Sequence, residues 1–254
     1  MIIVISPAKT LDFKEAGPAD PYSIPEFGKK AASIAVVLRK KSASELGQLM
    51  NISPKLAYEN HDRYQRWSSS AELPEAKQAV LAYKGDVYNG LRAAELTKEE
   101  LLWAQGHLRI LSGLYGILRP LDLIMPYRLE FATKLNIKQY KSLYEYWKKD
   151  LARSLALLKK EEGSGIMINL ASAEYYKALD AEGAGFRVIT PVFKEYRNGE
   201  LKFLSMFGKQ ARGMMARYII RNGIEDPEQL KLFGEDGYTF SAPLSDDGEW
   251  VFTR

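Results

Sequence analysis

The opening Met1–Ser6, MIIVIS, restricts the fold more than any other stretch of this chain. Ile2, Ile3, Val4 and Ile5 form a continuous apolar run with no polar alternation, which predicts a strand buried on both faces. Such a strand belongs in a sheet flanked by helices, so the expected class is α/β: one domain over residues 1–254 with a mixed sheet. The run ends in Ser6-Pro7-Ala8-Lys9-Thr10, which puts a lysine and hydroxyls at the strand's carboxyl end. In sheets of this kind ligands usually sit at that end.

A second constraining stretch is Thr97–Pro120, TKEELLWAQGHLRILSGLYGILRP. Thr97 and Glu100 have the spacing of a capping box. Leu101, Ala104, Leu108 and Leu111 recur at helical spacing, so the reading is a helix from Thr97 to Ser112-Gly113. Gly116 follows, and Arg109 and Arg119 bracket the turn. Backbone amides freed at a glycine-containing turn bind phosphate oxygens well, whereas the plainer reading is a helix end with surface arginines.

The remaining elements follow from periodicity and caps. Helices are expected over Phe27–Lys40, from the capping box at Ser42–Glu45, over Ser53-Pro54 to Trp67, and over Lys141–Lys160. Leu73–Gln78 reads as helical, Ala79–Tyr83 as a strand, Lys84–Leu91 as a loop and Leu123–Phe131 as extended. Ile166–Leu170 reads as a second buried strand, and Asn198-Gly199 as a hairpin turn between Phe186–Tyr196 and Glu200–Phe207. A helix over Gly208–Asn222 and a terminal pair, Tyr238–Ser241 with Glu249–Phe252, complete the chain.

Composition narrows the chemistry. The 254 residues contain no cysteine, which removes disulfides, thiolate zinc sites and iron–sulfur ligation. The two histidines, His61 and His107, stand in no ligand-spaced cluster, so no metal and no cofactor is expected. There is no apolar run long enough to span a bilayer and no signal peptide, so the expected location is cytoplasmic, with no membrane partner. A net charge of +4 permits nucleic-acid binding without demanding it.

On a helical wheel of Gly208–Asn222, Lys209, Arg212, Gly213, Arg217 and Arg221 fall on one arc. A glycine among arginines lets something approach the backbone closely, and a phosphate backbone is one candidate; a solvated basic face is the other reading. Asp86, Glu130 and Glu174 lie in loops or at strand ends beside tyrosines and arginines, where they offer a carboxylate site for a hard cation, a general base, or, for Glu130 beside Arg128, a structural ion pair. No Walker A, nucleophile-elbow or dinucleotide-binding motif is present.

Five blocks carry a resemblance: ISPAKTLDF, AYKGDVYNGL, HLRILSGLYGILRPLDLIMPYRLE, INLASAEYYK, and PVF followed by NGELKFLS and GKQARGMMARYII. In this order, from residue 2 to about 221, they resemble the YaaA family of peroxide-stress proteins. The resemblance implies a cytoplasmic protein induced by hydrogen peroxide, associated with lowered free iron and with protection from Fenton damage. It also implies binding of duplex or branched DNA through a positively charged cleft and a helix-hairpin-helix. Leu111–Gly116 is taken as the hairpin, with Tyr115 one residue beyond the usual spacing, and Gly208 stands where the family pattern has alanine.

Two readings follow. In the first, the chain is a DNA-binding protein, monomeric in expectation and with little sequence preference. Its contacts are Arg109, Ser112, Gly113, Leu114, Tyr115, Gly116, Arg119, Lys209, Arg212, Gly213, Arg217 and Arg221. In the second, Lys9, Lys84, Asp86, Tyr88, Arg128, Glu130 and Glu174 form an enzyme site for a small phosphorylated or carboxylated substrate. Direct iron sequestration would have only two histidines and no cysteine to draw on.

Overall fold

In the computed structural model, which describes residues 1–18, 20–197 and 199–254, the opening run forms strand β1 (Ile2–Ile5), buried at all four positions. In chain order there follow β2 (Leu108–Ser112), β3 (Gly116–Leu118), β4 (Ile166–Leu170), β5 (Arg187–Arg197), β6 (Glu200–Lys202), β7 (Thr239–Phe240) and β8 (Glu249–Thr253). These described strands form one mixed sheet in the order β7-β8-β5-β4-β1-β2-β3, with β6 paired to β5. β1 lies in its middle. It pairs in parallel with β2, Ile3 facing Leu108, and in parallel with β4, Ile2 facing Met167. β5 and β8 extend the parallel order, and β3, β6 and β7 join antiparallel. The structure is thus the mixed α/β arrangement that β1 demanded.

Seven helices of six residues or more are labelled: α1 (Gly28–Arg39), α2 (Ala43–Met50), α3 (Pro54–Arg66), α4 (Asp86–Leu91), α5 (Lys98–His107), α6 (Leu143–Glu162) and α7 (Ser205–Asn222). Their starts are where the caps place them. Ser42 and Glu45 close a capping box on α2, and Thr97 and Glu100 close one on α5. Ser53 caps α3, with Pro54 at its first position. On α6, Leu143, Tyr146, Trp147, Leu151, Leu155 and Leu158 are all buried, matching the apolar face read from periodicity. Phe27, which precedes α1, packs its ring against Trp147 at 5.6 Å.

Five expectations are overturned. The helix expected from Thr97 to Ser112 stops at His107, and Leu108–Ser112 is strand β2. The helical spacing of Leu108 and Leu111 is outweighed by pairing: β1 has a free parallel edge, and β2 fills it. Leu111–Gly116 is therefore no helix-hairpin-helix but the turn of a β-hairpin, Ser112 facing Gly116. Lys84–Leu91 is not a loop, because Asp86–Leu91 forms α4. Ala79–Ala82 is one helical turn rather than a strand. Leu73–Gln78, expected helical, is a turn leading into a short strand at Lys77–Gln78. Of the Asn198-Gly199 signal, Asn198 lies outside the described residues; its flanks, β5 and β6, do pair antiparallel.

Helix α7 is buried on most of its circumference, not on one arc alone. Gly208, Ala211, Gly213, Met214, Met215, Ala216, Arg217, Ile219 and Ile220 are all buried. What approaches Gly213 is helix α4, not a phosphate. A Cβ on Gly213 would overlap the Val87 carbonyl oxygen, and one on Gly90 would overlap the Gln210 carbonyl oxygen. The two backbones touch because both positions are glycine.

Gly213→Ala should therefore cost about 3 kcal/mol, at the upper end for overpacking, because rigid backbone blocks the new methyl. Gly106→Ala in α5 meets nothing within 4 Å and should stabilise by up to about 1 kcal/mol through helix propensity. Urea unfolding of both variants reads the two signs. Equal small effects would show that the α4–α7 contact tolerates a side chain.

Candidate functional site

The order β5-β4-β1-β2 contains a switch point. From β1 the next parallel strand, β2, lies on one side, while from β4 the next, β5, lies on the other. At such a point the loops leaving the two strands diverge, and the crevice between them, beyond the carboxyl ends, is where α/β sheets commonly hold ligands. Ser6, directly after β1, and Ser172, two residues after β4, bridge it. The Ser172 amide donates to Ser6 Oγ at 2.8 Å, and Ser6 Oγ donates to Ser172 Oγ at 3.3 Å.

The seven charged and aromatic candidates of the enzyme reading gather along this rim. Thr10 and Leu11 pair with Lys84 and Tyr83 as a short antiparallel ladder, which lays residues 83–88 beside residues 6–12. Tyr88 OH donates to the Ser6 carbonyl at 3.1 Å. Lys84 Nζ pairs with Asp12 at 3.0 Å, and Asp86 begins α4. From the facing segment, Glu130 receives Lys9 Nζ at 2.7 Å and lies 3.6 Å from Arg128 Nη2. Glu174 Oε1 accepts from the Ala132 amide at 3.2 Å.

Arg128 is unusual. Its side chain is only 17% exposed, its buried Nε has no hydrogen-bond partner, and 3.6 Å to Glu130 is too long for a hydrogen bond. A buried guanidinium normally has most of its five donors matched. Its backbone, by contrast, is held firmly: Tyr64 OH on α3 donates to the Arg128 carbonyl at 2.6 Å.

Beneath the rim lies a buried hydroxyl chain. Tyr83 OH and Tyr127 OH are 2.5 Å apart, and Tyr127 OH is 2.7 Å from Ser112 Oγ. Burial pushes the Tyr127 phenol up to about 12 against hydrogen bonds from Ser112 and Tyr83. Burial raises Tyr83 and Tyr88 as well. Ser6, Ser172, Asn169 and this tyrosine chain escaped the sequence reading as site residues. The signal for Ser6 and Ser172 was present: each lies within two residues of the end of a buried strand.

The residues expected to meet DNA are not brought together. Ser112, Gly113, Leu114, Tyr115 and Gly116 are buried. The Gly113 carbonyl accepts from Trp147 Nε1 at 3.0 Å, and the Tyr115 amide donates to Ser112 Oγ. Their amides cannot face a phosphate, because α6 covers the turn. Arg217, 3% exposed, donates to the carbonyls of Leu91 and Arg92 and to Glu95; it caps the carboxyl end of α4. Arg221 pairs with Glu100.

Arg109 and Arg119 line a cleft of about 350 Å³ with Glu26, Asp122 and Glu161. Arg109 donates to the carbonyls of Gln105 and Leu108, and burial, helped by Arg119, brings its guanidinium down to about 10. Arg119 grips the buried Asp122 and the Ile24 carbonyl. Of the basic side chains expected to meet DNA, only Lys209 and Arg212 have no hydrogen-bond or ion-pair partner among the described residues; Lys209 is exposed, and Arg212 is partly buried, which lowers its pKa.

The glycine-free turn between α2 and α3 is, by contrast, open. Asn51 takes the left-handed conformation (φ 50°, ψ 57°) that asparagine tolerates, and Asn51, Ser53, Pro54 and Lys55 are exposed. The helices meet through Gly47 and Ala57, and the Ile52 amide donates to the Gly47 carbonyl at 3.1 Å. Among the described residues no group of three or more histidine, aspartate and glutamate side chains is placed to hold a metal ion, and no helix is long and apolar enough to cross a membrane.

Comparison with known proteins gives the following. The family described as "Peroxide stress protein YaaA" matches residues 1–244. A "UPF0246 protein" of Ralstonia pickettii is 47% identical over 254 residues, covering 100% of this chain and 99% of that protein. One from Hahella chejuensis is 45% identical and one from Caulobacter vibrioides 47% identical, each over all of this chain and 99% of its own length.

The raised tyrosines fix one pH dependence. Tyr127 ionises near 10 when unfolded and near 12 when folded. Its contribution to stability is complete below pH 10 and is lost as pH rises through 12, where only the unfolded chain carries the phenolate readily. Phenolate absorbance should therefore rise in two stages, exposed tyrosines near pH 10 and buried ones together with loss of circular dichroism. A single reversible rise near pH 10 with the fold intact would contradict the buried chain.

Proposed function

The chain belongs to the peroxide stress protein YaaA family, and we propose that it acts in peroxide stress by binding duplex or branched DNA without reading sequence. The observation that supports this is the α2–α3 pair. Two helices are joined there by a tight, exposed turn, Asn51-Ile52-Ser53, and in this reading they take the role expected of Leu111–Gly116. The amides of Ser53 and Lys55 carry no hydrogen bond to a described residue, and they lie at the amino end of a thirteen-residue helix, where a phosphate is favoured. Lys55 adds a cation at the same end. Such contacts go to the backbone and carry no base information.

Lys209 and Arg212 supply the second contact in this reading, since neither is spent on an internal partner. DNA covered in this way is shielded from radicals made where iron meets peroxide. This account leaves Arg109, Arg119, Arg217 and Arg221 as structural residues and removes the buried turn from the interface.

The test is a titration of one labelled duplex at several salt concentrations. Binding should weaken between about 50 and 200 mM salt with a log–log slope near −0.9 per phosphate contacted. Lys55→Ala and Lys209→Ala should each flatten that slope by about one contact, with equal losses on unrelated sequences. Salt-independent binding, or a wild-type slope in both variants, would remove this interface.

A further inference from the structure

We infer that the crevice between β1 and β4 is a binding site for a small oxyanion, the phosphate or carboxylate of a metabolite, with Arg128 and Lys9 as its ligands and Glu130 as the resident anion that the ligand displaces. This site is separate from the proposed DNA surface and stands whether or not that surface binds DNA.

Three observations carry it. First, the place is the switch point in the parallel part of the sheet, the position at which α/β folds commonly hold ligands. Second, the Arg128 side chain makes no hydrogen bond to a described residue and only a long contact to Glu130. The residue's backbone carbonyl is pinned by Tyr64, the side chain is mostly buried, and Nε is sealed from solvent. Leaving a buried charged donor unmatched costs more than leaving a neutral one. A planar, two-oxygen anion is the group that matches a guanidinium best, because two parallel N–H donors meet two oxygens.

Third, Glu130 occupies that role imperfectly. Its Oε2 is held by Lys9 at 2.7 Å, while its Oε1 stops 3.6 Å from Arg128. One carboxylate thus stands between two cations and completes its contact with only one. Lys9 is 60% exposed, so the pair it makes with Glu130 is weak and easily broken. An incoming oxyanion takes Lys9 and the free face of Arg128, and Glu130 swings to solvent. The other carboxylates of the rim do not crowd this spot into an acidic pocket: Asp12 is held by Lys84, Glu174 rests on the Ala132 amide, and no three acids group together among the described residues. Ser6 and Ser172, bonded across the crevice floor, offer hydroxyls to the neutral part of the same ligand.

The experiment is calorimetric titration of the full chain in a chloride buffer with two probes, inorganic phosphate and acetate, on wild type, Glu130→Gln, Lys9→Ala and Arg128→Gln. The probes separate a phosphorylated from a carboxylated ligand; saturable binding of either one supports the site. Glu130→Gln removes the competing charge and should bind the preferred probe at least about tenfold more tightly. Lys9→Ala, an exposed change that leaves the fold intact, should weaken it severalfold, and Arg128→Gln should weaken it at least about tenfold. Affinity unchanged in Lys9→Ala and Glu130→Gln would place the anion elsewhere and overturn the proposal, even if Arg128→Gln failed to fold. No saturable binding of either probe to Glu130→Gln would also overturn it. Duplex affinity measured on the same variants should stay at the wild-type value; loss of DNA binding in wild type would sink the DNA reading and leave this site standing.

Discussion

The parallel pairing of β1 on both of its edges is the constraint on which the rest of the sheet depends. Four β-branched residues, Ile2–Ile5, are buried without a polar position among them, so neighbouring strands must supply both ladders and helices must cover both faces. Because the partner strands are β2 on one side and β4 on the other, the chain reverses direction across the sheet at β1. That reversal brings Ser6 to Ser172 and opens the crevice in which Lys9, Tyr88, Arg128, Glu130 and Glu174 meet. Shortening or breaking β1 would remove the core and the crevice together.

Local signals in the sequence were read well where one principle acted alone. The capping boxes at Ser42 and Thr97, the proline after Ser53 and the six-residue apolar face of α6 correspond to the structure residue by residue. The misses lie where two principles compete. Leu108 and Leu111 continue a helical spacing from Leu101, but the unpaired edge of β1 draws them into a strand. Gly213 was correctly judged to serve a close approach, yet the approaching body is the α4 backbone. No local pattern distinguishes a phosphate from a second helix at such a glycine. Arg217 was assigned to the surface because arginines usually are; the carbonyls at the end of α4 made burial possible.

The two candidate surfaces share one strut. Tyr64 on α3 is fully buried and donates to the backbone of Arg128, while its own carbonyl accepts from Arg39 on α1. The helix that presents Ser53 and Lys55 outward therefore also positions the guanidinium in the crevice. Lys9, Arg128 and Glu130, read from the sequence as charges beside strand ends, do meet in the structure. The α2–α3 turn was legible in the sequence as two helix caps, at Ser42 and Ser53.

The measurement that bears most directly on the DNA reading is amide hydrogen exchange with and without a duplex, resolved to the peptides covering Asn51–Tyr58 and Leu111–Gly116. The account predicts that DNA slows exchange in Asn51–Tyr58 and leaves Leu111–Gly116 unchanged, that turn being already protected under α6. Slowed exchange at Leu111–Gly116, with none at Asn51–Tyr58, would contradict it.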